Sequence, residues 1–416
     1  MLISKGRAAI LYIFLLVILP IMDSLNGLIN GGGNENGLSL GIVYRLVIVM
    51  ISIIYLCFYG INKKSLIYLL FVFIYLLISE MISTDYATTY IILLFKLVLP
   101  IIVIETIRSL YVNKKFDNKT VNFIMNSWLF LFPLTMIIPY FLGIGFSTYG
   151  DSTNITQQAQ AGFKGFYYAQ NDISYVIDIL YLYVINKISI HTKTLYIIEY
   201  IMVLIVSLMM GLKGNYLIII VVTVYYIFKG SKNSKSKLQK FVLLLMVIVG
   251  IAAIFAFFMN DLNNIIQRWQ YFYNKNGFLS FFTSTRSDRV MPTYNWLFET
   301  SGIRGLLFGT GYNYTIMIPI FKFVEMDIFD ILFQLGFVGV ILIYGYYFSI
   351  YFKNKRINFY SGAFLLTILI STLSGHVFET ALSGVFFAVI CAGLIVNSNN
   401  NLKEVKDLSE KADCKK

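Results

Sequence analysis

The sequence predicts an all-α fold: a polytopic membrane protein of about twelve transmembrane helices with one long outer-face loop region. Three observations predict it. Hydrophobic residues make up 58% of the 416 and charged residues 13%, against soluble averages of roughly 45–50% and 25%. Apolar runs near the ~20 residues needed to cross a bilayer recur along the whole chain. Lysine and arginine collect in alternate connections between those runs, as the positive-inside rule requires of cytoplasmic loops.

The predicted spans are 8–26, 41–60, 65–83, 87–107, 121–143, 170–187, 194–210, 215–229, 240–259, 327–352, 358–374 and 377–396. The first follows Lys5 and Arg7, as the core of a signal peptide would. No small-residue cleavage site follows it and many more spans do, so it reads as span one. With the N-terminus inside, 23 of the 33 basic residues fall on the cytoplasmic side and eight outside, while Arg45 and Lys96 lie within spans. That asymmetry places both termini in the cytoplasm. Residues 1–396 form one helical membrane domain on this reading, and 397–416 a polar, disordered cytoplasmic tail. Most of the net charge of +12 is then a topological signal rather than a nucleic-acid surface. Cys57, Cys391 and Cys414 show neither metal-ligand spacing nor a disulfide framework. With only His191 and His376 in the chain, a histidine-rich metal centre is excluded, and His191, among lysines at a cytoplasmic span end, reads as structural.

Six of the eight outside cations lie in one stretch, 260–326. Topogenic pressure disfavours cations there, so they call for another reason. The plain reason is salt bridging within the loop; the functional one is anion binding. Connections of this length are functional or disordered as a rule, and this one is too aromatic for disorder. Its landmarks are Ser284-Thr-Arg286, Arg289, Arg304, Leu307-Phe-Gly-Thr-Gly311 and Glu325-Met-Asp327-Ile-Phe-Asp330. The lone Gly309-Thr-Gly311 has no strand–helix context and reads as a tight turn, not a phosphate loop. A second outside segment, 144–170, is rich in Gly, Gln and aromatics and suits a mobile loop that stacks on sugar rings.

Four segments together resemble the O-antigen polymerase/ligase superfamily of bacterial membrane glycosyltransferases. They are Gly162-Phe-Lys-Gly-Phe-Tyr-Tyr-Ala-Gln-Asn171, opening a span; Gly211-Leu-Lys-Gly-Asn-Tyr216, with Lys213-Gly214 where many members have Arg-Gly; the long loop; and Ser374-Gly-His376-Val-Phe-Glu379 before the last span. The resemblance covers about residues 160–390 and is closer to polymerases of O-antigen, capsule or exopolysaccharide units than to the ligase. It implies transfer of a growing chain from its polyprenyl pyrophosphate to a new lipid-linked unit on the outer face, without cofactor, nucleotide sugar or metal. The implied partners are polyprenyl-pyrophosphate-linked oligosaccharides and membrane lipid, with a flippase and a chain-length regulator nearby.

That chemistry needs cations for the leaving pyrophosphate and a base for the acceptor hydroxyl. Arginine's planar fork pairs with phosphate oxygens two at a time. Arg286 and Arg289, three apart, share a face if helical; Lys213 and Arg304 complete the pyrophosphate-binding set. The rival account pairs the two arginines with Asp288 and Glu299, makes Arg304 a turn residue and lets Lys213 snorkel. His376, with Glu379 at i+3 to orient it, is the foremost base. Glu325 and Asp327, carboxylates at a span entrance, are rival catalytic residues, and their structural alternative is pairing with Lys322 or Arg304. Lys96 and Asp178 lie mid-span, with a Lys96–Asp178 or Lys96–Glu105 pair as the structural expectation. A lipid-linked oligosaccharide flippase is the competing class, and a non-catalytic scaffold a third. A transporter places its charges near the midplane of the spans, whereas these gather in an outer loop.

Overall fold

The computed structural model describes residues 5–30, 39–82, 87–149, 161–190, 194–228, 259–318, 323–354, 357–373 and 375–413. It is almost wholly helical. In chain order the described elements are α1 (Lys5–Val17), α2 (Leu19–Ile29), α3 (Leu40–Tyr59), α4 (Lys63–Ile82), α5 (Ala87–Val112), α6 (Asn118–Phe141), β1 (Ser147–Tyr149), β2 (Ala161–Phe163), α7 (Gln170–Ile190), α8 (Thr194–Met209) and α9 (Lys213–Phe228). After the gap come α10 (Met259–Phe282), α11 (Ser287–Phe308), a 3₁₀ helix (Gly311–Met317), α12 (Asp327–Lys353), α13 (Phe359–Leu373) and α14 (Ala381–Asp413).

Four helices are long and apolar enough to cross a membrane: Leu40–Tyr59, Asn118–Phe141, Asp327–Lys353 and Ala381–Ser398. The pair Ala9–Val17 and Leu19–Ile29, bent by 50°, makes a fifth if it is one broken span; Pro20 sits at the bend, where its missing N–H costs least. Thr194–Met209, Lys213–Ile227 and Phe359–Leu373 are apolar but shorter. Among the described residues the tally is thus four or five, against the twelve expected. Helices α5 and α7 coincide with expected spans but carry charges inside them (Lys96, Glu105 and Arg108; Asp172, Asp178 and Lys187). The expected span 240–259 lies almost entirely outside the described residues. Of the expected tail, α14 continues as helix to Asp413.

By contacts the chain divides into two compact units, the first Met1–Leu15, Arg45–Ile124 and Arg286–Lys416, the second Leu16–Tyr44 and Met125–Thr285. In the first, α14 is the central element. Val385 to Cys391 are fully buried, and small residues let neighbours close in: a Cβ on Gly384 would meet Pro100 Cγ at 2.7 Å, and one on Gly393 would meet the Tyr360 ring. Such small-residue contacts are how helices pack where burial of apolar surface gives no drive. Glu105 accepts hydrogen bonds from Arg108 and, at 2.6 Å, from Tyr346. The expected Lys96–Glu105 pair is therefore not what Glu105 makes.

Helix α12 is broken at Gly336 (φ 64°). The break frees carbonyls that the rest of the unit satisfies, as apolar surroundings demand. Thr310 N–H donates to Phe333 O at 3.0 Å, and Tyr75 OH to Leu335 O at 2.5 Å. Gly309 (φ 76°) and Gly336 are pressed onto one another's strands of backbone: a Cβ on Gly309 would strike Gln334 O, and one on Gly336 would strike Leu307 O. Gly309 and Gly311 both have positive φ, so the Gly-Thr-Gly stretch is the tight turn its residues suggest, and its task is to seat the end of α11 against the α12 break.

In the second unit α7 packs against α8 and α9, joined by buried hydroxyls: Tyr181 OH lies 2.7 Å from Thr223 Oγ1 and 3.3 Å from Tyr200 OH. Strands β1 and β2 pair antiparallel, Ser147 opposite Phe163 and Tyr149 opposite Ala161. Residues 147–149 and 161–163 of the 144–170 segment are thus held in a small sheet, and 150–160 of the expected loop lie outside the described residues. Gly162 (φ 71°) is held there because a Cβ would strike Met210 O.

Candidate functional site

The stretch expected as a loop, 260–326, is largely helical, and its second half builds the site within the first unit. Arg286 occupies the N-cap position of α11, without a capping hydrogen bond from its side chain. Its Nε and Nη2 both donate to Glu325 Oε2, at 3.1 and 2.9 Å. Arg289, one turn on, brings Nη1 to 3.7 Å from Glu325 Oε1 and donates from Nη1 to Phe323 O at 3.0 Å. The two arginines do share a helical face, and they converge on one carboxylate. Both pair with Glu325, which the rival account of Asp288 and Glu299 did not include.

Two acids at the start of α12 hold the loops that carry the site. Asp330, fully buried, accepts from Val324 N–H (2.8 Å), Met326 N–H (3.0 Å) and Tyr314 OH (3.0 Å). It thereby fixes Glu325, which sits at φ 66°, a left-handed conformation that a glutamate holds only when its surroundings impose it. Asp327, also fully buried, accepts from Val377 N–H (2.7 Å) and Phe378 N–H (3.1 Å) through Oδ2. That fixes the turn bearing His376. Each carboxyl group in this way satisfies backbone N–H groups that would otherwise be buried without a partner. Beneath lies an apolar floor of Leu297, Tyr314, Ile318, Val324, Met326 and Phe333.

His376 packs edge-on against Phe323, ring centroids 5.4 Å apart. Its Nδ1 faces two acids, Glu379 Oε2 at 3.2 Å and Asp327 Oδ1 at 3.8 Å. Gln334 Nε2 donates to Glu379 Oε1 at 2.8 Å and reaches Tyr314 OH at 3.3 Å. Of the three expected catalytic side chains, Glu325 and His376 keep 26% and 17% exposure while Asp327 has none. Asp327 thus faces the imidazole and the backbone N–H groups of Val377 and Phe378 and has no exposed surface.

Electrostatics separates the two ends of the cluster. Burial alone would raise the Glu325 pKa, but Arg286, His376 and Arg289 outweigh it and hold the carboxyl below its ordinary value. Burial lowers the Arg289 pKa, and Arg286 beside it adds to that, against the pull of Glu325. Glu379 is pushed up to about 8 by burial, which the Gln334 hydrogen bond and the charge of Lys96 only partly offset. Lys96 therefore acts on Glu379, at the buried end of the site.

Arg304 lies on the exposed face of α11. Lys213 belongs to the second unit, where its ammonium sits 4.3 Å from the centre of the Phe281 ring and donates to the Phe281 carbonyl. Asp178 is buried in that unit as well. Lys322, Ser374 and His191 lie outside the described residues. Gln334 and Tyr314 were not singled out from the sequence, and Asp330 only as a landmark of the stretch with no role given, yet a signal was present: Asp327, Asp330 and Gln334 recur at i, i+3 and i+7 inside an apolar span, a polar stripe on one helix face.

No protein-family model matches the chain, and no curated protein matches it.

Proposed function

We propose that the chain is a membrane glycosyltransferase that polymerises polyprenyl-pyrophosphate-linked oligosaccharide repeat units on the outer face of the cytoplasmic membrane. The observation that carries this reading is the convergence of Arg286 and Arg289 on one carboxylate within the cluster that holds His376. An arginine pair satisfied by a carboxylate is equally suited to a diphosphate, since both present coplanar anionic oxygens to the guanidinium fork. The pyrophosphate oxygens take the place of Glu325 in that fork. The anomeric C–O bond to the pyrophosphate breaks, and the acceptor hydroxyl oxygen forms the new bond to the sugar. An imidazole whose Nδ1 is turned to Glu379 and Asp327 presents Nε2 to the acceptor, and Nε2 takes the hydroxyl proton, the arrangement that acids behind a histidine serve elsewhere. The arginines supply the charge compensation that a metal supplies in other transferases, so chelators leave the reaction intact. Fixed cations aimed at developing charge contribute about 3–4 kcal/mol each, a factor of 10²–10³ in rate.

The test is reconstitution of the purified full-length chain with a lipid-linked repeat unit. A ladder of polymer lengths is the expected product, and Arg289→Ala reduces it to unextended units while the protein still inserts. His376→Ala loses transfer likewise, with partial rescue by added imidazole. Full chain lengths from Arg289→Ala would remove the pyrophosphate role. A ligase, the nearest alternative, gives one transfer to a different acceptor and no ladder. A flippase moves the lipid-linked unit across the bilayer without forming a bond.

A further inference from the structure

Three side chains at the buried end of the cluster each turn one atom toward a common point. Asp327 Oδ1, His376 Nδ1 and Glu379 Oε2 all lie within 4.8 Å of one another, with Nδ1 at 3.2 Å from the glutamate oxygen and 3.8 Å from the aspartate oxygen. Ligands bound at ~2.0–2.2 Å around a four-coordinate ion stand roughly 3.3–3.6 Å apart, a range that the two histidine–carboxylate separations of 3.2 and 3.8 Å bracket. None of the three atoms makes a hydrogen bond, and all are shielded from solvent; the two carboxylate residues are 0% and 3% exposed.

The rest of each carboxylate is already engaged. Asp327 Oδ2 is held by the N–H groups of Val377 and Phe378, and Glu379 Oε1 by Gln334 Nε2. One oxygen of each acid is thus fixed and the other left aimed at the imidazole. That is how an outer shell orients metal ligands. One imidazole nitrogen with two carboxylate oxygens suits a borderline divalent transition ion, Zn²⁺ above all, better than Mg²⁺ or Ca²⁺, which favour all-oxygen sites. The partly exposed imidazole edge is the way in.

We propose that Asp327, His376 and Glu379 form a binding site for a divalent transition ion of the Zn²⁺ class, and that filling it stops glycosyl transfer. A bound ion takes the lone pair of Nδ1, so Nε2 keeps its proton and no longer accepts one. Binding stands on the three ligand atoms alone; only the inhibition rests on the transferase reading. The metal-free enzyme is the active form, and chelators protect activity rather than abolish it.

The experiment uses full-length, metal-stripped protein in detergent. Equilibrium dialysis against Zn²⁺, with metal content per chain measured by mass spectrometry, gives one saturable ion in the wild type and in His191→Ala. Glu379→Gln and His376→Ala lose it, and Gln334→Leu weakens it about tenfold. In the transfer assay the same Zn²⁺ concentrations inhibit the wild type, and excess EDTA restores the rate. No saturable binding, or binding retained by both Glu379→Gln and His376→Ala, overturns the site. Binding without inhibition of a working transferase overturns the regulatory half. Binding by a chain that never yields polymer upholds the site and counts against the transferase reading alone. Matched unfolding temperatures of metal-free wild type and Glu379→Gln show that a lost ion is not a lost fold.

Discussion

Glu325 and Glu379 are the same side chain in one cluster, and the fold treats them in opposite ways. Glu325 sits at the arginine end, keeps 26% of its surface, and is held below its ordinary pKa by Arg286, His376 and Arg289 against the upward push of burial. Glu379 sits at the far end, is 3% exposed, and is pushed up to about 8 by burial. The difference lies in the partners. One carboxylate has two guanidinium groups; the other has an amide, an imidazole and the more distant Lys96. Two titratable groups driven apart by their surroundings are the mark of a site arranged for a task. The arginine end keeps its carboxyl as an anion between two guanidinium groups. The far end keeps its carboxyl buried beside an imidazole and an amide.

The largest effect comes from breaking what supports both ends. Gly309→Ala places a Cβ against Gln334 O at a residue with φ 76°, so it pays backbone strain and a clash with backbone at once. A loss of about 4 kcal/mol or more is expected, read as a drop in unfolding temperature in detergent. Unchanged stability would mean that the Gly309–Gln334 contact does not hold the α12 break. Next comes Arg286→Ala, which removes two hydrogen bonds from Glu325 and leaves a mostly buried carboxylate with Arg289 alone. Breaking such a pair costs about 3 kcal/mol, and transfer falls at least a hundredfold. Wild-type stability in this variant would reduce the arginine end to a solvated ion pair.

These effects bear on what the sequence made legible. The helices were readable because apolar runs must be helical where no water can satisfy the backbone. The arginine pair was readable because, on the topology expected from the sequence, cations in that stretch run against topogenic bias. Its partner was not, because Asp288 and Glu299 are nearer in sequence than Glu325, and only tertiary packing decides between them. The helical state of 260–308 was missed for a related reason: polar, amphiphilic helices leave no long apolar run. Asp327 was read as a base because a carboxylate at a span entrance demands an account. The structure gives it one in the backbone N–H groups of Val377 and Phe378, a role that no local pattern announces.

A smaller effect sharpens the contrast. Glu325→Gln removes the charge that now occupies the arginine fork. The two guanidinium groups lose their counter-ion, at a cost of about 1–2 kcal/mol given the partial exposure of the pair. The freed fork binds inorganic pyrophosphate more tightly, by a factor of several, in a calorimetric titration. Weaker pyrophosphate binding would show that Glu325 assists the anion instead of standing in for it.

Glu379→Gln is expected to cost least, below about 1 kcal/mol, though the residue it changes is the more deeply buried of the two glutamates. A carboxyl raised to about 8 carries its proton over most of the neutral range, and an amide reproduces the shape and polarity of that neutral acid. Gln334 Nε2 still finds an acceptor in the new amide oxygen, so no buried donor is orphaned. What the amide does not reproduce is an oxygen at the Oε2 position, 3.2 Å from His376 Nδ1: a carboxyl oxygen there can accept from the imidazole, and an NH₂ group cannot. The variant therefore keeps its unfolding temperature while losing the hold on the imidazole, and its transfer rate falls although its affinity for pyrophosphate does not. A destabilisation equal to that of Glu325→Gln would erase the distinction: it would mean that Glu379 is ionised in the folded protein, and that burial at this end is compensated by charge after all.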